Sequence, residues 1–326
     1  MNKIRIGIVG GGYMASVHAK NLATIENVEI AAICDPFVKP ENLIEAFGIK
    51  MYFDNFKKMI DEANVTAIVL TIPPFAHNGE VEYAAEKGVH VFMEKPVALT
   101  VDRAKSMADV IKRTGVTSMV GYMMRYGAAV SKLKEMIDSG KAGKVTLFDA
   151  RYECNSLHTP WWKDKLKSGG QILEQIIHLY DLATHFAGAP KSVVGLTANL
   201  CHTDVEGYTV EDTSSSLIQF KNGAIGSICG TNCAVPMKWN GLFTVVCEKV
   251  TVFFDDPNNA IFVYTDGEEP IEEKVSGNVD TYLEEMKAFI SVLSGQQLDI
   301  STIQDGLESL TLVANVTKSN GQSINM

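Results

Sequence analysis

Six residues, Ile4-Arg5-Ile6-Gly7-Ile8-Val9, run directly into Gly10-Gly11-Gly12-Tyr13-Met14-Ala15. The first segment reads as a buried strand and the second fits G-x-G-x-x-G/A at the opening of a helix. Glycine permits a tight turn and lets a phosphate group approach backbone N–H groups at a helix N-terminus. Ala15 in the third position still allows close helix–strand packing. Asp35 follows 20 residues after Ala15, at the end of the second strand pattern (Val28 to Cys34). An acidic residue there suits the adenosine ribose hydroxyls of a dinucleotide. Strand, glycine turn, helix and acid together point to Gly10, Gly12, Tyr13, Met14 and Asp35 as cofactor contacts. Pro36-Phe37 supplies no guanidinium beside Asp35, which favours NAD over NADP. Lys39 lies near enough in sequence to leave NADP open.

The alternation continues to about residue 120. Ala67–Ile72 is a strand stopped by Pro73-Pro74, and a helix follows from about His77 to Lys87. Val89–Met93 is the next strand, then a helix from Thr100 to about Thr114, then a strand at Val116–Val120. This order predicts a parallel sheet with helices on both faces. After about residue 123 the pattern changes. A helix near 127–138, a strand at 144–153 and a long helix from Gly170 to Phe186 precede a run of short alternating stretches up to 265. Turn pairs such as Asn222-Gly223 and Asp266-Gly267 separate them, so they read as an antiparallel sheet. Helices near 279–293 and 303–317 end the chain. The expected fold is α/β: a Rossmann domain over 1–123, then an α/β domain over 124–326 on an open, mostly antiparallel sheet. A cleft between them is expected.

At 326 residues the chain is long for one core, which also favours two domains. The net charge of −10 argues against nucleic acid and against an anionic membrane surface. No apolar run reaches the roughly 18 residues of a membrane span. The glycine turn begins within ten residues of Met1, leaving no room for a signal peptide, so a cytoplasmic location is expected. The six cysteines at 34, 154, 201, 229, 233 and 247 form no CxxC pair and read as free thiols. His158, His202 and Cys201 lack a convincing ligand spacing, so no metal is expected.

Three further motifs narrow the reading. Thr71-Ile72-Pro73-Pro74-Phe75-Ala76-His77 ends one strand. Gly88-Val89-His90-Val91-Phe92-Met93-Glu94-Lys95-Pro96 ends the next, and Gly169-Gly170 leads through Glu174 to His178 and Asp181. With the glycine turn, these resemble the glucose–fructose oxidoreductase / inositol dehydrogenase (Gfo/Idh/MocA) family of NAD(P)-dependent enzymes, over nearly the whole chain. The resemblance implies sugar, inositol or polyol substrates and an open sheet face used for subunit contacts. It adds Thr71, Pro73, His77 and Glu94 to the cofactor site, and places the family's lysine at Lys95 and its histidine at His178. The family's Asp-x-Gly-x-His reads here Glu174-Gln175-Ile176-Ile177-His178.

The residues fit that chemistry. A secondary alcohol gives hydride to nicotinamide only if its hydroxyl proton leaves and the developing charge on oxygen is stabilised. Lys95 follows the carboxyl end of a strand, where Rossmann ligands bind, and Pro96 restricts it toward extended backbone. At about 100° per residue, Glu174, His178, Asp181 and His185 share an arc of roughly 60° on an otherwise apolar helix. About 16 Å separates Glu174 from His185 along the axis, so they do not all face one carbon. The expectation is Lys95 and His178 as catalytic groups, Asp181 supporting the imidazole, and Glu174 touching substrate. Aromatic faces suit the C–H faces of sugars, which nominates Tyr152, Trp161 and Trp162; ordinary core packing explains them equally well. Arg125 is either a cofactor contact or structural. A dinucleotide-binding sensor of the same fold needs Asp35 and the glycine turn but not Lys95 and His178; both are present, which favours the enzyme. A homodimer or homotetramer through the second-domain sheet is expected, because two final helices are too few to cover it.

Overall fold

The computed structural model describes residues 3–326, which divide into two units: 3–123 with 280–307, and 124–279 with 308–326. In the first unit the strands are β1 (Ile4–Val9), β2 (Val28–Cys34), β3 (Met51–Phe53), β4 (Ala67–Leu70), β5 (His90–Met93) and β6 (Ser118–Val120). They interleave with α1 (Tyr13–Leu22), α2 (Glu41–Phe47), α3 (Phe56–Glu62), α4 (Glu80–Glu86) and α5 (Val101–Thr114). The sheet order is β3-β2-β1-β4-β5-β6 and every pairing is parallel. The order reverses between β1 and β4, the switch point where such sheets bind ligands. Strands sandwiched by helices must be apolar on both faces. Accordingly all of β4 is buried, and Ile6 and Ile8 of β1 are fully buried.

The second unit begins with α6 (Ala128–Asp138), β7 (Val145–Glu153), the short α7 (Lys165–Ser168) and α8 (Ile177–Ala187). It continues through β8 (Pro190–Ala198), β9 (Thr213–Phe220), β10 (Ile225–Thr231), β11 (Asn240–Cys247), β12 (Val250–Phe254), β13 (Asn259–Tyr264) and β14 (Ile271–Ser276). With β15 (Ile324–Asn325) these form a nine-stranded sheet in the order β14-β13-β12-β11-β7-β10-β9-β8-β15. All pairings are antiparallel except β7 with β10. Burial alternates along β9: Ser214, Ser216, Ile218 and Phe220 point inward, whereas Ser215, Leu217 and Gln219 are exposed. One face therefore rests on the helices and the other is open, the period-2 signature of a one-sided sheet.

Residues 280–307, expected in the second domain, cluster with the first unit in this structure. Helix α9 (Thr281–Leu293) packs on α1, and the following segment adds hydrogen bonds at the end of β6. Val120 donates its N–H to the Ser301 carbonyl at 2.7 Å, and the Ser301 hydroxyl donates to the Val120 carbonyl at 2.6 Å. The apolar stripe Met286, Phe289 and Ile290 finds its burial there. The final helix α10 (Ile303–Ser319) leads back to the second unit. No helix among the described residues is long and apolar enough to cross a membrane.

Candidate active site

The glycine turn lies at the carboxyl end of β1. Gly10 has φ of 98°, and a Cβ there would meet Thr71 Oγ1 at 2.9 Å. Thr71 in turn donates its hydroxyl to the Val9 carbonyl at 3.0 Å, so it fastens the turn to the end of β4. A Cβ on Gly12 would meet nothing within 4 Å. Gly12 caps α1 without a side-chain bond, and the first turn of α1 carries no acidic residue. The first N–H groups of the helix and its positive dipole end are thus kept for an anion, as a pyrophosphate requires. Tyr13 is exposed and Met14 half-buried at the same end.

Asp35 has a second role that the sequence motif does not announce. Its Oδ2 accepts the Gly11 N–H at 2.9 Å, and its Oδ1 accepts the N–H groups of Phe37 and Val38 at 2.9 and 3.2 Å. It therefore holds the glycine turn in shape, and its remaining lone pairs stay able to accept ribose hydroxyls. Lys39 lies over the Tyr52 ring at 5.9 Å. These features fit a dinucleotide.

Lys95 follows Glu94 just past the end of β5, on the same carboxyl edge of the parallel sheet as the glycine turn. The Lys95-Pro96 peptide is cis. The Lys95 N–H donates to Glu94 Oε2 at 3.2 Å, and Glu94 Oε1 accepts from His18 Nε2 at 2.6 Å. His18, on α1, is fully buried. Pro73 and His77 flank a short 3-10 turn after β4. Burial, and secondarily the Arg103 charge, push the His77 imidazole down to about 4, so it is neutral near neutrality.

In the second unit the expected uniform helix over 170–186 is corrected: residues Ile172–Ile176 form a π-helical turn before α8. Gly169 and Gly170 have φ of 80° and 107°, and a Cβ on Gly170 would lie 2.5 Å from Glu211 Oε1. That buried carboxylate accepts the Ile172 N–H at 3.0 Å and pairs with Lys165 Nζ at 2.9 Å. Gly230 of β10 lets Ile176 sit against the sheet, since a Cβ there would lie 2.0 Å from Ile176 Cδ1. The 100° spacing behind the expected polar stripe therefore fails between 172 and 176, and Glu174 is re-aimed relative to His178. Such turns recur at functional sites, where they reorient a side chain.

Glu174 Oε2 accepts the Trp162 indole N–H at 2.9 Å. Trp162, nominated as either a sugar-facing or a core aromatic, is 2% exposed and sits in a small core with Tyr208 and Val210. Its indole N–H needs a partner when buried, and Glu174 provides it. Trp161 packs on this core while remaining partly accessible; Tyr152, near the end of β7, is also partly accessible. His158 stacks against Trp162 at 4.3 Å and meets the Gln175 amide through Nε2 at 2.6 Å. His178 opens α8 and is partly accessible. Asp181 is fully buried and receives two bonds from Arg125, at 2.8 and 2.6 Å. The structural reading of Arg125 is thus the one that the geometry supports.

Several polar residues here escaped the sequence reading. Asn232, fully buried, donates to the Ser156 carbonyl at 2.8 Å and to the Tyr208 hydroxyl at 3.1 Å. Burial alone would raise the Asp212 carboxyl, but the backbone N–H groups of Cys201, Leu200 and His202 outweigh it and hold it below the usual range. Beside Asp212, Cys201 and Cys233 form a disulfide with Cα atoms 6.0 Å apart. This corrects the expectation of six free thiols. The pairing spans 32 residues and arises because β9 and β10 bring the two loops together. Spacing alone carries no such signal. Cys34, Cys154 and Cys247 are buried, and Cys229 is exposed.

The comparisons with known proteins agree with this geometry. Residues 4–122 match the model described as "Oxidoreductase family, NAD-binding Rossmann fold", and residues 130–253 match the "GFO/IDH/MocA C-terminal domain". The chain is 28% identical over 319 residues to myo-inositol 2-dehydrogenase of Thermotoga maritima, covering 95% of this chain and 94% of that one. It is also 28% identical over 230 residues to scyllo-inositol 2-dehydrogenase (NAD(+)) of Bacillus subtilis, covering 70% and 67%. Among solved structures, levoglucosan dehydrogenase in complex with NADH and L-sorbose superposes with a TM-score of 0.89 at 20% identity, covering 100% and 99%. Matched in both of its domains, the chain belongs to the Gfo/Idh/MocA family of NAD-binding oxidoreductases.

Proposed function

We propose that the chain is an NAD-dependent dehydrogenase acting on a secondary carbinol of a sugar, inositol or related polyol, or on the corresponding ketone. The observation that carries this reading is the placement of Lys95 past the end of β5, on the carboxyl edge of the sheet that also bears the Gly10–Gly12 turn. When bound, the nicotinamide supplies the hydride acceptor or donor. Everything else falls to side chains. Lys95 supplies a cation that stabilises charge developing on the substrate oxygen. His178 exchanges the hydroxyl proton, since an unperturbed imidazole titrates at about 6.5. The reading requires both groups to serve one carbinol. Glu174, held by Trp162, offers a carboxylate oxygen to a neighbouring hydroxyl, and Trp161 and Tyr152 offer aromatic surface to C–H faces.

The inositol dehydrogenases among the relatives support this substrate class. Screening inositols, hexoses, anhydrosugars and their keto forms with NAD(H) and NADP(H), by absorbance of the reduced nicotinamide, tests the reading. NAD reduction by at least one polyol is the expected result. Tight NADH binding with no turnover of any carbinol or ketone would instead point to a sensor.

We further propose a homodimer or homotetramer built through the open sheet face. Leu147 and Ile225 are register partners on β7 and β10, and Leu217 pairs with Ser227 on the adjoining strand. With Leu196, Phe253 and Ile261 they leave six large apolar side chains exposed on the sheet strands. A second copy of the same face would cover such an apolar surface. We place the chain in the cytoplasm, where NAD(H) is abundant; the Cys201–Cys233 bridge is the one observation that opposes this.

A further inference from the structure

Behind Lys95 lies a buried trio that the reaction chemistry does not itself use. His18 on α1, Glu94 after β5 and Glu285 on α9 bring ligand-type atoms within 4.8 Å of one another. His18 and Glu285 are both fully buried. Neither carboxylate oxygen of Glu285 has a hydrogen-bond partner, nor does His18 Nδ1. Glu94 has settled partners: His18 Nε2 at 2.6 Å on one oxygen and the Lys95 N–H at 3.2 Å on the other. The room around it is tight. A Cβ on Gly121 would come within 3.1 Å of Glu94 Oε2. The His18 ring is wedged edge-on between Phe92 at 5.1 Å and Tyr282 at 6.2 Å.

A buried, unpartnered carboxylate beside a second carboxylate is not a stable arrangement. Two like charges at this spacing settle by sharing one proton. A neutral Glu285 gains a donor, and the acceptor within reach is the Glu94 carboxylate, directly after a small rotation or through one water. We propose that Glu285 and His18 are positioning residues for Lys95: the Glu285 carboxylic acid and the His18 imidazole both donate to Glu94, whose Oε2 in turn holds the Lys95 N–H.

The titratable groups around Glu285 are His18 on α1, Glu94 from the strand end, and Tyr282 and Asp280 on or just before its own helix; burial is the leading influence, followed by the negative charges of Glu94 and Asp280. All three push its carboxyl well above the usual 4.5. Tyr282, beside the trio, is pushed up as well, by burial first and then by Glu94, Glu285, Tyr13 and Asp280. The sign of the pH effect follows. The unfolded chain loses the Glu285 proton near 4.5 while the folded chain holds it, so this residue's contribution to stability is full below about 4.5 and falls as pH rises above it.

The inference deepens the dehydrogenase reading, and its test has arms with and without substrate. Unfolding of the full chain is followed in urea from acid to mildly alkaline pH for wild type and Glu285→Gln. Gln keeps a donor and cannot ionise, so the variant is expected to match or exceed wild-type stability at alkaline pH, with a shallower pH slope. Exchange of the Lys95 amide proton is followed in wild type, Glu285→Gln and Glu285→Leu. Protection is expected in the first two and loss in the third. With the carbinol that the screen identifies, Glu285→Leu should lower kcat by up to about 10²-fold at little change in NADH affinity, as misplacement of a reacting group does. Glu285→Gln should restore it. A Glu285→Gln protein that is less stable at every pH, or a Glu285→Leu protein with unchanged Lys95 protection, overturns the proposal. If no carbinol is turned over but the stability and exchange results hold, the positioning inference stands and the dehydrogenase reading falls.

Discussion

Arg125 grips Asp181 through two bonds, Nε to Oδ2 at 2.8 Å and Nη2 to Oδ1 at 2.6 Å, with side chains only 8% and 1% exposed. This bidentate, desolvated pair ties the short 3-10 turn at Met123–Tyr126 to the middle of α8, three residues after His178. Breaking one side of such a pair leaves a buried charge uncompensated. Asp181→Asn should therefore cost about 3–5 kcal/mol of stability. Urea unfolding measures this, and a loss under 1 kcal/mol would show that the pair is not desolvated in solution.

Asp35 both shapes the glycine turn and sits where the adenosine ribose is expected. NAD(H) should bind more tightly than NADP(H), because a carboxylate repels a 2′-phosphate. Asp35→Ser should narrow that gap and weaken both cofactors somewhat, since the Gly11 N–H loses its acceptor. Fluorescence titration of the two reduced cofactors is the check, and a clear NADP(H) preference in the unmodified chain would refute it.

His178→Ala should cut turnover by roughly 10²–10⁴-fold while leaving NADH binding nearly intact. Lys95→Ala should also cut turnover and weaken NADH binding. The two are told apart by pH: the His178 variant should lose the limb of the kcat profile near neutrality. Near-normal turnover and an unchanged profile in His178→Ala would transfer the proton step to Lys95.

A charge on the open sheet face should dissociate the assembly. Leu217 is 55% exposed and Ile225 is 53% exposed on neighbouring strands. Leu217→Glu with Ile225→Lys should shift light scattering from dimer or tetramer to monomer without changing the circular dichroism spectrum. A wild-type chain that is monomeric at micromolar concentration rules out the proposed interface.

The Cys201–Cys233 bridge makes a countable prediction. The unfolded, unreduced protein should expose four reactive thiols and the reduced protein six. In cells quenched with alkylating agent, a cytoplasmic chain should show the pair as dithiol, because the glutathione pool keeps thiols reduced. A bridge already formed in quenched cells contradicts the cytoplasmic placement.

The dinucleotide half was legible because its information is local. A strand, a glycine turn, a helix start and an acid at fixed spacing are short-range demands of backbone geometry, and residues 4–35 meet them in order. Lys95 and His178 were nominated through the family resemblance, and their roles are proposals that the variants above test. The mostly antiparallel sheet showed itself through period-2 alternation, as along β9. Short elements did not: α2, α3 and β3 span three to seven residues each, too few for a periodicity to emerge.

What tertiary structure alone decided involves residues distant in sequence. The π-turn at 172–176 depends on Glu211 meeting the Ile172 N–H, 39 residues away, so a helix period read along the chain carries no trace of it. The sequence left Trp162 equally open as a sugar platform or a core aromatic; its packing with Tyr208 and Val210 depends on residues more than 40 positions away. The return of α9 to the first unit placed Glu285 beside Glu94 and His18, although 191 residues separate the two carboxylates in sequence. His18 carried a weak signal, as a polar residue one turn after Ala15 on a buried helix face, but Glu285 looked like any other acid on an amphipathic helix. Sequence patterns fix which backbone conformations are cheap. Which buried polar groups must share protons is settled only when the fold brings them together without water.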